Sequence, residues 1–312
     1  MRVNVVSAKQ RSLKLLLPLP AADANKYTRG KLTVIGGSAR YPGSACLAGA
    51  AAFRTGAGYV ECLCAPETVP LIQGYMASLV ARPWDVEAVR ASLGAPVDER
   101  HPQACLIGCG MEDDGSHQRA LVEEALTTCA VPLILDGGAL RVVGQASLQA
   151  LLRERASSGR PTAMTPHGGE AAALAKAVGI RIPEEDASLE GLAAFAYQLA
   201  DAFRCTVLLK GPQSFIATAA ADAPSEGSSS EEPTVFLMDR GSAALAKAGT
   251  GDVLAGMVGA LMAEGQKSGS ACLLASALHA EAARSMVREM GVVSVCAEDV
   301  LGAIPDALSM LC

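Results

Sequence analysis

The chain has 312 residues, of which 50% are hydrophobic and 19% are charged, and its formal net charge is −6. This length and apolar content suffice for one large α/β domain. The negative balance excludes the basic surface that nucleic acids require, so we expect no nucleic-acid partner. No stretch approaches the roughly 20 consecutive apolar residues of a membrane span, and the first residues lack signal-peptide features. A cytoplasmic protein with no membrane partner is expected.

Ten cysteines are present, but none forms a Cys-x-x-Cys pair. Cys62, Cys64 and Cys109 lie inside apolar runs. This placement predicts small buried hydrophobic side chains rather than a zinc or disulfide framework.

Short runs rich in Val, Ile and Leu alternate along the chain with alanine-rich stretches of helical length. The predicted strands are "KLTVIGGS", "GYVECLCAP", "ACLIGCGM", "VPLILDGGAL" and "TVLLKGP". The predicted helices include "GSACLAGAAAFRTGAG", "HQRALVEEALTTCA" and "EGLAAFAYQLADAF". This alternation is typical of a mainly parallel sheet with helices on both faces, in which ligands bind at the carboxyl ends of the strands.

The stretch from Ala217 to Phe236 interrupts this pattern because it is small, polar and acidic. Its apolar content is too low for independent folding. We therefore predict a surface loop between two antiparallel strands, "SFIAT" and "TVFLM". After Gly256 the apolar spacing predicts helices to the end of the chain.

Two glycine-containing strand ends are candidate binding loops. In the first, Gly36 and Gly37 follow a strand, and Gly43 precedes a helix that starts near Ser44. Its spacing matches neither a Walker loop nor a dinucleotide fingerprint. The second, "LIGCGM", contains Gly110. For both, an ordinary turn and a close backbone approach to a ligand remain open.

Asp136 and His167 lie at two further strand ends. In "LILDGGAL", the Asp136 carboxylate either holds a magnesium-bound water or caps the next helix, and both interpretations remain open. In "TPHGGE", His167 lies in a loop between a strand and a helix predicted to begin at Ala171. Its position at the ligand-bearing edge of the sheet favours a ligand contact over a purely structural role.

"TVLLKGPQS" places Lys210 and Gly211 at another strand end, followed by Pro212, Gln213 and Ser214. A lysine there is suited to neutralise phosphate, and the following backbone and hydroxyl groups are suited to hydrogen-bond a nucleotide. A solvated turn lysine is the alternative.

"KAGTGDVLAG" contains the most informative turn, because Gly249 and Gly251 precede an apolar helix and Asp252 lies at its start. Glycines leave room for an anion against the bare N–H groups of a helix N-terminus. Asp252 would then face a bound phosphoryl group and the hydroxyl that attacks it, which is the position of a general base. Helix capping alone explains the aspartate but not the Gly-Thr-Gly before it.

Together these motifs resemble one family, the ADP- or ATP-dependent NAD(P)H-hydrate dehydratases of the ribokinase-like superfamily. The resemblance extends from about Lys26 to Leu308, and "TPHGGE" and "LAKAGTGDVLAG" are its most specific motifs. It implies a three-layer α/β/α sandwich with a mainly parallel central sheet. It also implies an N-terminal extension at 1–25 and a single dehydratase domain at 26–312, with a flexible acidic loop at 219–233.

The resemblance implies ADP-dependent dehydration of (6S)-hydrated NADH and NADPH through phosphorylation of the C6 hydroxyl, giving AMP and phosphate. It makes Asp252 the base and the turn Gly249, Thr250 and Gly251 the phosphoryl site. Ala45, Gly110, His167 and Asp252 would contact the hydrated dinucleotide. The residues expected to hold the adenine nucleotide are Lys210, Gly211, Pro212, Gln213, Ser214 and Gly251. Mg²⁺ is expected to bridge the phosphates, with no protein ligand assigned.

Four positions depart from the family pattern, and they leave the affinity for nucleotide and substrate open. Cys109 and Gly168 replace prolines, Ser242 replaces an asparagine, and Ala280 replaces a glycine. The "TPHGGE" form favours ADP over ATP. The resemblance further implies a homotetramer and a separate epimerase that supplies the (S) epimer.

Two alternatives follow from the same residues. One is another ribokinase-like kinase, acting on a hydroxyethylthiazole or pyridoxal type of compound, which would leave a stable phosphorylated product. The other is a nucleotide-binding protein without catalysis, which would bind nucleotide but show no reaction that depends on Asp252.

Overall fold

A computed structural model describes residues 4–7, 10–94, 98, 100–112, 116–218 and 233–311. Except for Pro233, the predicted acidic loop at 219–233 lies outside the described residues. The described part contains one sheet of ten strands in the order β1-β10-β9-β8-β7-β6-β5-β2-β3-β4.

The strands are mostly short and end in loops that carry glycine, aspartate or lysine. They are β1 Asn4–Ser7, β2 Lys31–Ile35, β3 Tyr59–Cys64, β4 Val80–Pro83, β5 Gln103–Ile107, β6 Leu133–Leu135, β7 Thr162–Met164, β8 Thr206–Leu209, β9 Ser214–Ala217 and β10 Thr234–Met238. Seven of the nine pairings between them are parallel. The two antiparallel pairings join β8 to β9 and β9 to β10, so the predicted antiparallel pair is confirmed.

Helices follow nearly every parallel strand. They are α1 Gln10–Leu15, α2 Pro42–Thr55, α3 Val69–Tyr75, α4 Val86–Leu93, α5 Ser116–Thr128, α6 Gly138–Val143, α7 Ala146–Ser157, α8 Gly168–Ala177, α9 Leu189–Phe203, α10 Thr250–Ala263, α11 Ser268–Met290, α12 Ala297–Gly302 and α13 Ile304–Ser309. Short 3-10 turns occur at Pro66–Thr68 and Ala243–Leu245. The helical C-terminal region predicted after Gly256 is confirmed, as four successive helices.

Side chains on each strand alternate between two hydrophobic cores, one on each face of the sheet. Leu32 and Val34 of β2 lie in a core with residues of α2, α10 and α11. Ile35 of the same strand lies in a core with residues of α5, α7 and α9. The predicted three-layer α/β/α sandwich with a mainly parallel sheet is thereby confirmed.

Two helices, α2 and α10, lie unusually close together and fix the position of the Asp252 turn. A Cβ on Gly256 would come within 2.1 Å of the Ala48 carbonyl oxygen, so only glycine allows this approach. Gly256 lies one helical turn after Asp252. This close contact therefore fixes the start of α10, and with it Asp252, against α2.

The described N-terminal residues take part in the sheet. β1 pairs in parallel with β10, from Asn4 opposite Thr234 to Ser7 opposite Leu237, and lies within the segment expected to be an extension. Eight of the nine described cysteines are buried, and they include Cys62, Cys64 and Cys109, for which burial was predicted. Among the described helices, none combines the length and apolar character needed to cross a membrane.

Candidate active site

The N-terminus of α10 is built by a glycine turn. Gly249 is the N-cap residue and adopts φ +89°, in the left-handed region that favours glycine. The first intrahelical hydrogen bond runs from Val253 N to Gly249 O. The backbone N–H groups of residues 250–252 precede that bond and have no partner within the helix. They form a local site for a negatively charged group.

Thr250 stabilises this turn from within. It is buried, and its hydroxyl oxygen lies 2.7 Å from the Leu245 carbonyl oxygen and 2.9 Å from the Lys247 carbonyl oxygen. The hydroxyl therefore donates to the backbone of the preceding loop. The side chain of Thr250 shapes the turn, while its N–H remains available at the helix start.

Asp252 lies in the first turn of α10 and is half-buried. Burial, and then the negative charge of Asp136, raise the pKa of the Asp252 carboxyl to about 6. Hydrogen bonds from Ser44 and Cys109 and the charge of Lys210 act in the opposite direction. A carboxylate with a pKa near 6 is ionised at neutral pH and is a stronger base than an ordinary aspartate.

Asp136 follows β6 and is only 4% exposed. Its Oδ1 accepts hydrogen bonds from Lys210 Nζ at 2.8 Å and from Thr165 Oγ1 at 2.5 Å. Cys109 Sγ lies 3.7 Å from its Oδ2. Helix α6 begins after Gly137 without a side-chain cap, so the capping interpretation of Asp136 was wrong.

Lys210 lies between this aspartate and the turn of α10. A Cβ on Gly251 would be 3.5 Å from Lys210 Nζ, which places the ammonium beside the glycine turn. Burial opposes its charge, but Asp136 and Glu170 outweigh that effect and raise the pKa of Lys210. The predicted alternative, a solvated turn lysine, was therefore wrong.

The other residues expected to hold a nucleotide form the connection between β8 and β9. Gly211, Pro212 and Gln213 are exposed in the turn, and Ser214 begins β9. A Cβ on Gly241 would lie 2.1 Å from the Pro212 carbonyl oxygen, so the loop after β10 packs directly against this turn. In that loop, Ser242 Oγ accepts a hydrogen bond from Ala244 N and caps a 3-10 turn.

The two glycine loops noted in the sequence pack against each other. Gly37 N donates to Cys109 O at 2.8 Å, and Ser38 N donates to Gly110 O at 3.0 Å. Gly110 has φ +66°, and a Cβ there would lie 2.7 Å from the Cβ of Ser44. Ala45 is completely buried in α2 next to this contact. Gly110 and Ala45 thus lie on the side of Asp252 that Ser44 contacts.

His167 is the N-cap residue of α8, which begins at Gly168, three residues before the predicted start. Its Nδ1 accepts hydrogen bonds from Gly169 N at 3.0 Å and from Glu170 N at 3.4 Å. The imidazole is 59% exposed, and the backbone of His167 bridges to that of Lys210. His167 therefore combines a structural cap with an exposed ring nitrogen beside the site.

Sequence reasoning missed two groups that face this centre. Glu170 lies near Lys210, and burial, followed by the charge of Asp136, raises its pKa. His279 of α11 is 5% exposed, hydrogen-bonds the Thr250 backbone, and has its pKa lowered by burial to about 4. Glu170 ends the motif "TPHGGE", and His279 lies in "ALHAEAA". These motifs were the signal from which both residues could have been found.

Cys109, Asp136 and Asp252 form the one group of potential metal ligands among the described residues, with ligand atoms within 4.8 Å of one another. Mg²⁺ prefers oxygen ligands and does not favour a thiol. Asp136 is also already paired with Lys210 and Thr165. This donor set does not fit a resident magnesium ion.

Comparison with known proteins agrees with this geometry. The family profile described as NAD(P)H-hydrate dehydratase matches residues 32–306. An ADP-dependent (S)-NAD(P)H-hydrate dehydratase from Xanthomonas campestris is 31% identical over 299 residues, which are 94% of this chain and 93% of the relative.

Two further proteins show how far the similarity extends. The structure of an ADP/ATP-dependent NAD(P)H-hydrate dehydratase from Bacillus subtilis, co-crystallised with ATP and Mg²⁺, matches with a TM-score of 0.77 at 26% identity and covers 99% of both chains. A bifunctional NAD(P)H-hydrate repair enzyme from Moorella thermoacetica is 29% identical over 95% of this chain but only 52% of its own length. This chain thus spans about half of that relative. The fold, the glycine turn with its half-buried aspartate and the profile match together show that the chain belongs to the NAD(P)H-hydrate dehydratase family.

Proposed function

We propose that the protein dehydrates the (6S) hydrates of NADH and NADPH, with ADP as the phosphoryl donor, and releases AMP and phosphate. The observation that carries this proposal is the position of Asp252, a half-buried carboxylate with a pKa raised to about 6, at a glycine turn whose N–H groups have no partner within the helix. Membership of the family and the ADP-dependent relative from X. campestris support the choice of substrate and donor.

The first step is phosphoryl transfer. Asp252 accepts the proton of the C6 hydroxyl while the hydroxyl oxygen attacks the β-phosphorus of ADP, and AMP departs with the electrons of the broken P–O bond. The N–H groups at the start of α10 and the Lys210 ammonium stabilise the charge on the transferring group. The turn Gly249, Thr250 and Gly251 supplies the backbone donors.

The second step is elimination. The C6–O bond breaks, phosphate leaves with its electron pair, and the lone pair of the ring nitrogen forms a double bond to C6. Loss of a C5 proton to solvent then restores the dihydronicotinamide ring. Phosphorylation is needed because phosphate is a far better leaving group than hydroxide.

The hydrated dinucleotide and the nucleotide would approach Asp252 from two sides. Ala45, Gly110 and His167 are proposed to contact the hydrate. Lys210, Gly211, Pro212, Gln213, Ser214 and Gly251 are proposed to hold ADP. Because the acidic cluster does not fit a resident Mg²⁺, the ion is expected to enter bound to the nucleotide phosphates.

A partner activity follows from the stereochemistry. If only the (S) epimer is a substrate, an epimerase must convert the (R) epimer. The bifunctional name of the M. thermoacetica relative supports a link between repair activities in this family. We also propose a homotetramer, which size-exclusion chromatography with light scattering would test.

The decisive experiment follows the return of reduced-nicotinamide absorbance in hydrated NADH with Mg²⁺ and either ADP or ATP. We expect recovery with ADP, with an acid limb near pH 6 because Asp252 must be ionised. In Asp252→Asn the rate should fall by about 10³-fold, since a general base contributes on the order of 10²–10⁴. ADP binding by calorimetry is the control for folding of the variant.

Three results would contradict the proposal. Recovery with ATP alone would change the donor. A stable phosphorylated product without dehydration would identify a small-molecule kinase instead. Nucleotide binding without any reaction that depends on Asp252 would identify a binding protein.

A further inference from the structure

Asp136 is the most completely engaged carboxylate near the Asp252 turn, yet no step above uses it. It is 4% exposed and accepts from both Lys210 Nζ and Thr165 Oγ1 on the same oxygen. The partners come from different loops, at sequence separations of 74 and 29 residues. The backbone around it is closely packed, because a Cβ on Gly108 would lie 1.7 Å from the Asp136 carbonyl oxygen.

The Lys210 ammonium could otherwise occupy several positions, because a lysine side chain has four flexible carbon–carbon bonds. Its contact with Asp136 at 2.8 Å holds it near Gly251, where a Cβ would lie 3.5 Å from Nζ. Only 17% of the Lys210 side chain is exposed, so the anchored position is also shielded from water.

Without this anchor, Lys210 has two other carboxylates as alternative acceptors, Glu170 and Asp252. The potential ligand atoms of Asp136 and Asp252 lie within 4.8 Å of each other. An ammonium paired directly with Asp252 would stabilise its ionised form and weaken it as a base.

We propose that Asp136 is a positioning residue for phosphoryl transfer, which holds Lys210 beside the glycine turn and so keeps the ammonium for the transferring phosphoryl group instead of Asp252. This inference rests on the proposed function. Lys210 stays protonated throughout, and the substrate proton moves only to Asp252.

The titratable and charged groups facing Asp252 set the expected pH behaviour. Asp136 after β6 raises its pKa, whereas Lys210 after β8 and hydrogen bonds from Cys109 after β5 and Ser44 of α2 lower it. Two further groups face Lys210 rather than Asp252 directly. They are Glu170 of α8 and His279 of α11.

Asp136→Asn tests the proposal because it keeps the size of the side chain but removes its charge. The Lys210 ammonium is released, and Asp252 loses a negative neighbour. We expect kcat to fall on the order of 10²-fold, the effect of removing one stabilising donor. We expect KM for ADP to change less than threefold and the acid limb of kcat to move to lower pH.

Glu61→Gln is the matched control, since Glu61 is also a buried carboxylate with a lysine partner, at 2.9 Å from Lys31. It lies in β3, outside the proposed site, and the variant should keep the wild-type kcat and acid limb. A purely structural role of Asp136 would lower the melting temperature of Asp136→Asn but leave the kcat of the folded variant close to that of wild type.

A second measurement does not depend on the reaction. Titration of ¹³C-labelled aspartate by NMR, with Asp252→Asn to assign the signal, gives the pKa of Asp252 in wild type and in Asp136→Asn. Because loss of the Asp136 charge alone lowers this pKa, the titration is repeated with Lys210→Met in each background. A larger rise in the pKa of Asp252 on removal of Lys210 from Asp136→Asn than from wild type supports the proposal, and an equal or smaller rise overturns it. If hydrated NADH is not a substrate of wild type, the proposed function fails, but this titration still decides how Asp136 acts.

Discussion

Two clusters of charged side chains, each with a buried carboxylate, lie in different parts of the sheet, and they differ in the balance of acidic and basic groups. At the carboxyl ends of the strands, Lys210 is surrounded by Asp136, Glu170 and Asp252. In the region of β2, β3 and β4, a single carboxylate, Glu61, contacts both Lys31 and Arg82. The first cluster has an excess of acid and the second an excess of base.

The consequences for the carboxyl groups are opposite. Burial tends to raise the pKa of Glu61, but Lys31 and Arg82 outweigh burial and hold it below the ordinary value. For Asp252, burial and Asp136 together outweigh Lys210 and raise the pKa to about 6. A carboxylate that is stabilised in its charged form contributes to stability, whereas one that is destabilised is available as a base.

The backbone around Glu61 also differs from the backbone around Asp252. Glu61 lies within a regular strand, with Thr33 and Val80 opposite it on the neighbouring strands. Asp252 lies three residues after the left-handed Gly249, at a helix start whose N–H groups have no partner within the helix. Charge imbalance combined with open backbone donors distinguishes the candidate catalytic cluster from the structural one.

The largest effect should come from removing the single cation of the acidic cluster. In Lys210→Met we expect kcat to fall at least about 10²-fold, because charge stabilisation of the phosphoryl group is lost. The acid limb of kcat should move to higher pH, opposite to Asp136→Asn, because Lys210 lowers the pKa of Asp252. Lys31→Met is the control and should change kcat less than twofold. Equal kcat losses in both lysine variants would remove the distinction between the clusters.

A smaller effect, on stability rather than rate, is expected for Glu61→Gln. Because its folded pKa is below the unfolded value, the ionised Glu61 stabilises the fold above pH 4.5, and this contribution is lost as the pH falls below that value. We expect a loss of about 2 kcal/mol in unfolding free energy at pH 7, since breaking a buried ion pair leaves uncompensated charge. Urea unfolding at pH 7 and pH 3.5 measures it. If wild type and Glu61→Gln differed in unfolding free energy by the same amount at both pH values, the stabilising role assigned to the ionised Glu61 would be contradicted.

An effect of opposite sign is expected for Glu264, a carboxyl group that forms no salt bridge with the described residues and whose burial outweighs the charge of Arg29. Glu264 caps the C-terminus of α10, and its buried Oε1 has no hydrogen-bond partner among the described residues. Burial raises its pKa to about 8, so folding disfavours its charged form. The stability of wild type should therefore decrease as the pH rises from 4.5 to 8, because Glu264 loses its proton in the unfolded chain before it does so in the folded protein.

Glu264→Gln removes that penalty. We expect the variant to be nearly equal to wild type in stability at pH 4 and more stable at pH 8.5, with the difference growing by up to about 1.4 kcal/mol per pH unit between pH 4.5 and pH 8. Thermal unfolding at the two pH values is the measurement. A variant less stable than wild type at pH 8.5 would mean that the ionised Glu264 has a partner that stabilises it.

Much of the fold could be predicted because its elements have clear local signals. The runs of Val, Ile and Leu became buried strands, and the alanine-rich stretches became helices. Strands β1 and β4 were not predicted, since β1 begins and ends with the polar Asn4 and Ser7 and β4 contains Arg82 and Pro83. Their pairing with β10 and β3 supplies what their own sequences do not.

In the candidate site, too, local features could be predicted and long-range contacts could not. The turn around Asp252 was visible in the sequence because its glycines and aspartate are adjacent in the chain. Both predicted roles of Asp136, as a helix cap or a holder of magnesium-bound water, considered only its local position. Its actual partner, Lys210, is 74 residues away, and parallel strands with crossover helices bring the two together.

The sequence by itself determined the elements, the glycine turn and the family, because these depend on neighbouring residues and on motif order. The tertiary structure decided which charges meet and how deeply they are buried. Electrostatic effects depend on distance and solvent exposure, not on position in the chain. For that reason, only the folded protein distinguishes the proposed base Asp252 from the proposed anchor Asp136, and both from Glu61 with its two cationic partners.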